Sequence, residues 1–225
     1  MTGSPLYTLH HFPDYASHCV QVTLEEMGVP YDVRPIDFDT NDAERPEFRA
    51  ISPFGLVPAL ETPDGPIFET GAILLWLSER HGMAPVPITP ERAAFLKWFI
   101  FVANTLHPGA MALLHPERPA GKAAAREVSR IASANLKMQI DALEAMVQED
   151  APEWLSGTTP SVLGYYVAML IRWIQSFPPY PEDAVTVDRA PALRSVLALL
   201  ETRPAVRRVA EAEGLGEAIY TIPAV

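Results

Sequence analysis

The chain changes texture at Gly82, and that break limits the folds open to it more than any other feature. Upstream, short strand-like runs alternate with helical spacing. Residues 6–10 are rich in strand formers, residues 17–27 carry Val20, Leu24 and Met27 at helical spacing before Gly28, and residues 31–36 are strand-like again. A strand-helix-strand order needs a crossover, so the first two strands are expected to pair in parallel. Pro53 and Pro58 punctuate a loop, and Pro63-Asp64-Gly65 between two short apolar runs signals a hairpin. Thr70 is placed to N-cap a helix through Ile73, Leu74 and Leu77 to His81. Downstream, MAPVPITP reads as a connector, and nearly every later segment has helical spacing. Residues 121–150 form a long amphipathic stretch with Val128, Ile131, Leu136, Ile140 and Leu143 expected inward. Residues 161–174 are apolar on most sides, as a central buried helix would be, and residues 191–201 and 205–213 close the bundle. The expected architecture is an α/β unit over residues 1–82, a linker over 83–89 and an all-α unit over 90–225.

Charge narrows the partners. The formal net charge is −11, and residues 1–82 carry 13 acidic against 4 basic side chains, with no lysine. Nucleic-acid binding needs clustered Lys and Arg, so it is not expected. With 48% hydrophobic and 20% charged residues the chain is globular in composition, yet no apolar run reaches membrane-spanning length. MTGSPLYTLHHF has neither a basic flank nor an apolar core that would mark it for export, so a cytoplasmic protein is expected. Cys19 is the sole cysteine, which excludes an intrachain disulfide, a C-x-x-C dithiol and a cysteine-built zinc site. It is expected as a small buried residue in the first turn of its helix. The six histidines show no metal-ligand spacing, and no metal is expected.

Residues 52–60, Ser-Pro-Phe-Gly-Leu-Val-Pro-Ala-Leu, followed by Glu69-Thr70-Gly71-Ala72-Ile73, resemble the central signature of the cytosolic glutathione transferases. Tyr7 to His11, Leu24 to Gly28, Trp154-Leu155-Ser156-Gly157 and Arg203-Pro204-Ala205-Val206 fit bacterial, beta-like members in order and spacing. The resemblance implies a thioredoxin-like N-terminal domain, an all-helical C-terminal domain and a homodimer. It also implies glutathione as co-substrate and a small hydrophobic electrophile in a pocket of the helical domain, where Phe12, Leu106, Met111 and Leu114 are candidate lining. It assigns a cis bond to Val57–Pro58, whose turned backbone would pair with the cysteinyl part of glutathione. Glu69-Thr70 would hold the γ-glutamyl end, with the helix N-terminus taking its carboxylate and Glu69 its ammonium. A plain Thr N-cap preceded by a solvated Glu is the alternative reading of that pair. His107 matches a histidine that faces the glutathione sulfur in beta-type enzymes; a histidine at a helix C-terminus before Pro108 is the alternative.

Four positions depart from the family pattern. The first strand-to-helix turn has Ala16 where beta-type enzymes have cysteine. Ser17 is then the first candidate to stabilise the thiolate, with capping as its alternative role, and Tyr15 is the second. Phe54 and Leu56 replace polar residues before the proline, which leaves Arg34, Arg45 and Arg49 as candidates for the glycyl carboxylate. Gly164 replaces the acid of a Ser-x-x-Asp capping box, a loss that Thr159 or water would have to offset. The sequence therefore leads to a glutathione transferase of unspecified reaction, with a non-catalytic binding or interaction protein of the same fold as the alternative.

Overall fold

In the computed structural model, which describes residues 6–223, the strand-helix-strand opening forms β1 (Tyr7–His11), α1 (Ser17–Met27) and β2 (Tyr31–Pro35). β1 and β2 pair in parallel, with Leu9 opposite Val33. A four-residue α2 (Pro46–Arg49) precedes β3 (Ala59–Thr62), which turns through Pro63-Asp64 into β4 (Gly65–Phe68). The sheet order β2-β1-β3-β4, with β3 antiparallel to both neighbours, is thioredoxin-like. α3 (Thr70–His81) completes the first unit. Residues 1–5, which include the expected leaderless start, and the last two residues of the expected helical unit lie outside the described residues.

The rest is helical. α4 (Glu91–Phe101) runs through a π turn at Val102–Leu106 into α5 (His107–Leu114), followed by α6 (Glu117–Ala120) and the long α7 (Ala125–Asp150). α8 (Val162–Ser176) is buried over Val162 to Ile174, α9 (Pro191–Glu201) packs against it, and α10 (Pro204–Glu213) packs against α1 and α9. Leu136, Ile140 and Leu143 of α7 face inward as expected, but Ile131 is exposed. Its place is taken by Ser129, Ala132 and Ser133, small residues that let neighbouring elements come close. Gly164 leaves α8 capped after all. The Ser161 hydroxyl accepts the Gly164 N–H at 3.1 Å and donates to the Trp154 carbonyl. Thr159 does not compensate, since its hydroxyl bonds Glu153.

One apolar core runs through both units, joining Leu9, Val20 and Leu24 to Leu106, Tyr165 and Val206. Polar ties fasten its rim. Glu26 of α1 receives the Tyr165 hydroxyl at 2.7 Å and the Arg203 guanidinium, and Arg208 reaches Glu25 at 2.8 Å. Burial pulls the Glu26 carboxyl upward, but Arg203 and Tyr165 outweigh it and hold it below the ordinary range. At the other end of α1, Arg172 of α8 donates twice to the Asp14 carboxylate, at 2.9 and 2.7 Å. Among the described residues no helix is long and apolar enough to cross a membrane, and no three His, Cys, Asp or Glu side chains cluster as a metal would need.

Arg172 is almost fully buried. Removing its carboxylate partner would leave a buried charge uncompensated, which costs about 3–5 kcal/mol. Asp14→Ala is therefore expected to lower stability by about 3 kcal/mol in urea unfolding; a change below about 1 kcal/mol would mean that solvent already screens the pair.

Candidate active site

A cleft of about 260 Å³ opens between the two units, walled by the β1–α1 turn, the loop before β3, the start of α3 and the helices around His107. Its first wall is rigid. Asp14 sits in the left-handed region at φ 58°. Such a conformation costs of order 1–3 kcal/mol and persists where the surroundings over-determine it. Here they do: besides the Arg172 pair, the Asp14 N–H donates to Glu213 at 3.0 Å and its carbonyl accepts the Trp173 indole N–H at 3.0 Å. Burial raises the Glu213 carboxyl, yet the His18 ring, the Asp14 N–H and His11 outweigh it and hold it low.

This turn decides which groups face the cleft. The Ser17 hydroxyl was expected there, or as a helix cap. It does neither, because it donates to the Phe12 carbonyl at 3.0 Å and accepts the Phe12 N–H at 3.1 Å, closing the turn from within. Ser17 is fully buried and does not line the cleft, and Ala16 holds the N-cap position of α1. Ala16 and Tyr15 do line it. The Tyr15 ring stacks on Phe38 and meets Phe12 edge-on, and its hydroxyl has no hydrogen-bond partner among the described residues. The N–H groups of Ala16 and Ser17 are likewise unpaired there, as first-turn amides are. Cys19 is buried beneath them, and burial raises its thiol far above the ordinary value.

The second wall is the loop that ends in a cis peptide bond at Val57–Pro58. The Ser52 hydroxyl donates to the Leu56 carbonyl at 2.8 Å and accepts the Leu56 N–H at 3.1 Å. Gly55, at φ 64°, has no room for a side chain, since a Cβ there would lie 2.7 Å from the Ala43 carbonyl. Neither the N–H nor the carbonyl of Val57 is hydrogen-bonded among the described residues, which leaves a strand-like edge at the cleft. The three arginines considered for a carboxylate lie elsewhere. Arg34 is 3.5 Å from Glu61, Arg45 is 2.7 Å from Asp42, and Arg49 holds Glu44 and the Pro53 carbonyl. None lines the cleft.

The third wall is the start of α3. Glu69, not Thr70, is the N-cap residue, at φ 74°, and no side chain caps the helix. The first intrahelical bond runs from the Ile73 N–H to the Glu69 carbonyl, so the amides of Thr70, Gly71 and Ala72 remain open. Glu69 is exposed at the cleft, and its carboxylate has no partner among the described residues. Open amides with partial positive charge beside a free carboxylate form a site for a zwitterionic amino-acid end.

His107 forms the roof. Pro108 follows it and has no N–H to give the preceding turn, and the helix absorbs this by widening to a π turn, so that it continues through His107 instead of ending there. The His107 Nδ1 and the Tyr166 hydroxyl are 2.7 Å apart, and the ring meets Tyr166 and Trp173 edge-on. Burial pushes the Tyr166 phenol up, so it keeps its proton. A buried phenol donates to an available acceptor, here Nδ1, which puts the imidazole proton on Nε2. Burial pushes His107 down to about 4, so the ring is neutral at physiological pH. Of the residues considered for the electrophile pocket, Met111 lines the cleft while Phe12, Leu106 and Leu114 pack into core clusters. Tyr166, Trp173, Asp14 and Arg172 were not read from the sequence. The signal for Tyr166 was a tyrosine pair inside an otherwise apolar helix, since buried phenols need partners.

Residues 4–79 match the family model for the glutathione S-transferase N-terminal domain. The disulfide-bond oxidoreductase YfcG of Escherichia coli (strain K12) is 36% identical over 107 residues, 44% of this chain and 50% of that protein, so the match spans half of that relative. Glutathione S-transferase GstA of Escherichia coli O157:H7 is 24% identical over 213 residues, 92% of this chain and 98% of that one. A glutathione transferase structure from Burkholderia graminis, with two glutathione molecules bound per subunit, superposes with a TM-score of 0.75 at 28% identity, covering 92% of this chain and 88% of that chain. The first unit thus matches the glutathione S-transferase N-terminal domain, and the chain as a whole is similar to glutathione S-transferases. The first turn offers the cleft Ala16 and an enclosed Ser17, so the polar groups it brings there are its backbone amides and the Tyr15 hydroxyl.

A neutral His107 gives the protein a defined acid response. Its folded-state pKa of about 4 lies below the ordinary 6.5, so the unfolded chain takes up the proton first as pH falls. The contribution is complete above pH 6.5 and lost as pH drops towards 4. It amounts to about 3 kcal/mol at about 1.4 kcal/mol per unit. Unfolding free energies of wild type and His107→Gln, compared over that window, should diverge by that order; parallel curves would show that His107 is solvated.

Proposed function

We propose that the protein binds glutathione along the cleft, lowers the pKa of its thiol and transfers the thiolate to a small apolar electrophile. In this reading the open amides of α3 take the γ-glutamyl carboxylate, Glu69 takes its ammonium, and the Val57 backbone pairs with the cysteinyl unit. The sulfur then lies between the first-turn amides of α1 and the His107 Nε2–H. The observation that carries the reading is the neutral His107, fixed by Tyr166 with its free N–H at the cleft. A free thiol near pKa about 8.5 is mostly protonated at neutral pH, and a preorganised donor in a partly dry site favours the thiolate. In transfer to an aryl halide, the sulfur lone pair forms the S–C bond while halide leaves with the C–halogen pair. Residues 1–82 serve as the glutathione domain and the helical unit from residue 90 supplies the electrophile side. We place the protein in the cytoplasm as a homodimer that detoxifies small electrophiles, in which the strongly acidic first unit meets the less charged helical unit of its partner.

Thiolate absorbance titrated in the bound complex tests the sulfur contacts. His107→Ala should raise the bound-thiol pKa by about one unit, the worth of one charge-assisted hydrogen bond. Ser17→Ala should leave it unchanged and instead cost about 1–2 kcal/mol of stability. If only Tyr15→Phe shifts the titration, the tyrosine is the activating group. Calorimetry tests the binding frame: Glu69→Ala should weaken glutathione by about tenfold or more. A sedimentation mass near one 24.7 kDa chain at micromolar concentration would exclude the dimer.

Ala16 and the enclosed Ser17 favour a second reading, a binding protein that holds glutathione without activating it. Its signature would be normal glutathione affinity with an unshifted thiol pKa in the wild type.

A further inference from the structure

Arg118 is, among the described residues, the arginine that lines the cleft. Except for Arg118 and Arg207, every arginine of the chain lies within 4.0 Å of a carboxylate oxygen among the described residues. Arg207 is on α10, away from the cleft. Arg118 lines both the cleft and the groove that continues from it past Pro108 and Pro119. Its N–H donates to the His115 carbonyl at 3.1 Å, which fixes the α5–α6 corner that carries it.

The charges around it leave it free for a ligand. His115 is held towards its neutral form, first by burial and then by the Arg118 charge itself. His107 is neutral, and Glu117, the neighbour of Arg118 along the chain, makes no ion pair with it among the described residues. Glu69 is the carboxylate lining the same space, and in the reading above it is matched to the ammonium of glutathione. Beside Arg118 the cleft presents the apolar surface of Met111, Trp173, Phe54 and the Tyr15 ring, while the open amides lie at the starts of α1 and α3. In a chain of net charge −11, the general field repels anions, so an anionic substrate needs a local cation to be held here. An apolar slot with one unpaired guanidinium at its rim fits an apolar body that ends in a carboxylate.

We propose that Arg118 is a specificity-determining residue, selecting electrophiles that carry a carboxylate on an apolar or aromatic body. The proposal rests on the glutathione-binding reading of the cleft and names the class of its second substrate. Recognition is through a charge-assisted hydrogen bond at the cleft rim, separate from the sulfur contacts.

Calorimetry with two probes tests it: the glutathione conjugate of chloronitrobenzoate and the methyl ester of the same conjugate, each titrated into wild type, Arg118→Ala and Arg118→Lys, with glutathione alone as a third titrant. The wild type should prefer the carboxylate over the ester by about tenfold. Arg118→Ala should abolish that preference and Arg118→Lys should keep part of it, since lysine retains the charge without the fork. The side chain is exposed and unpaired, so both variants are expected to fold. A preference that survives in Arg118→Ala overturns the proposal. So does an equal loss of affinity for glutathione alone, which would assign Arg118 to the glycyl carboxylate. A wild type that binds glutathione but does not distinguish the probes overturns this proposal only; one that binds no glutathione brings down the reading of the cleft with it.

Discussion

The Arg172–Asp14 pair is the contact on which the position of the site depends. Arg172 comes from the most buried helix of the molecule and would be a costly unpaired charge there. Asp14 satisfies it with both carboxylate oxygens, while its N–H and carbonyl are taken by Glu213 and Trp173. Three side chains from the helical unit thus determine the conformation of one residue in the α/β unit. That residue sets the course of the β1–α1 turn, and with it the orientation of Tyr15 and the open amides of Ala16 and Ser17. The first cleft wall is accordingly a product of both units.

The same division of labour holds at the roof. His107 could offer either ring nitrogen to a ligand, and the choice is made by Tyr166 on α8, a phenol with too little water around it to lose its proton. The π turn that brings His107 to this place follows from Pro108, whose missing N–H makes a regular turn unfavourable. Trp173, about two turns along α8 from Tyr166, touches both the His107 ring and the Asp14 carbonyl. One helix therefore supports two opposite walls. Its packing against α1 fixes their separation, which is a condition for preorganised electrostatics in a cleft.

The cleft is electrically sparse. Its polar equipment is a free carboxylate at Glu69, open amides at two helix starts, one neutral imidazole and a guanidinium at the rim. Backbone amides aimed by helices need no reorganisation when charge arrives, which distinguishes them from flexible side chains. Phe54 and Leu56 give the opposite lip an exposed apolar surface.

Much of this was legible in the sequence because it is local. Alternation of strand and helix spacing up to Gly82, the hairpin at Pro63-Asp64-Gly65 and the cis bond before Pro58 depend on residues a few positions apart, and the structure follows them, whereas the cap of α3 falls on Glu69 and not on Thr70. The capping of α8 without its acid was equally local, since Ser161 needs only the Gly164 amide three residues on. What failed was orientation. Ser17 is a sound candidate for donating to a cleft by residue type and position, but its hydroxyl has two nearer partners in Phe12 once the turn closes. Ile131 fits the helical period, yet the neighbours of α7 take up small residues on the adjacent stripe. Sequence by itself determined the strand and helix order of the first unit, the helical character of the second and the family they resemble, because propensity and spacing act over one or two turns. Tertiary structure alone decided which way Ser17, Tyr15 and His107 face and what charge His107 carries, because those outcomes depend on Arg172, Glu213 and Tyr166, residues brought near from as far as 199 positions along the chain by the packing of the core.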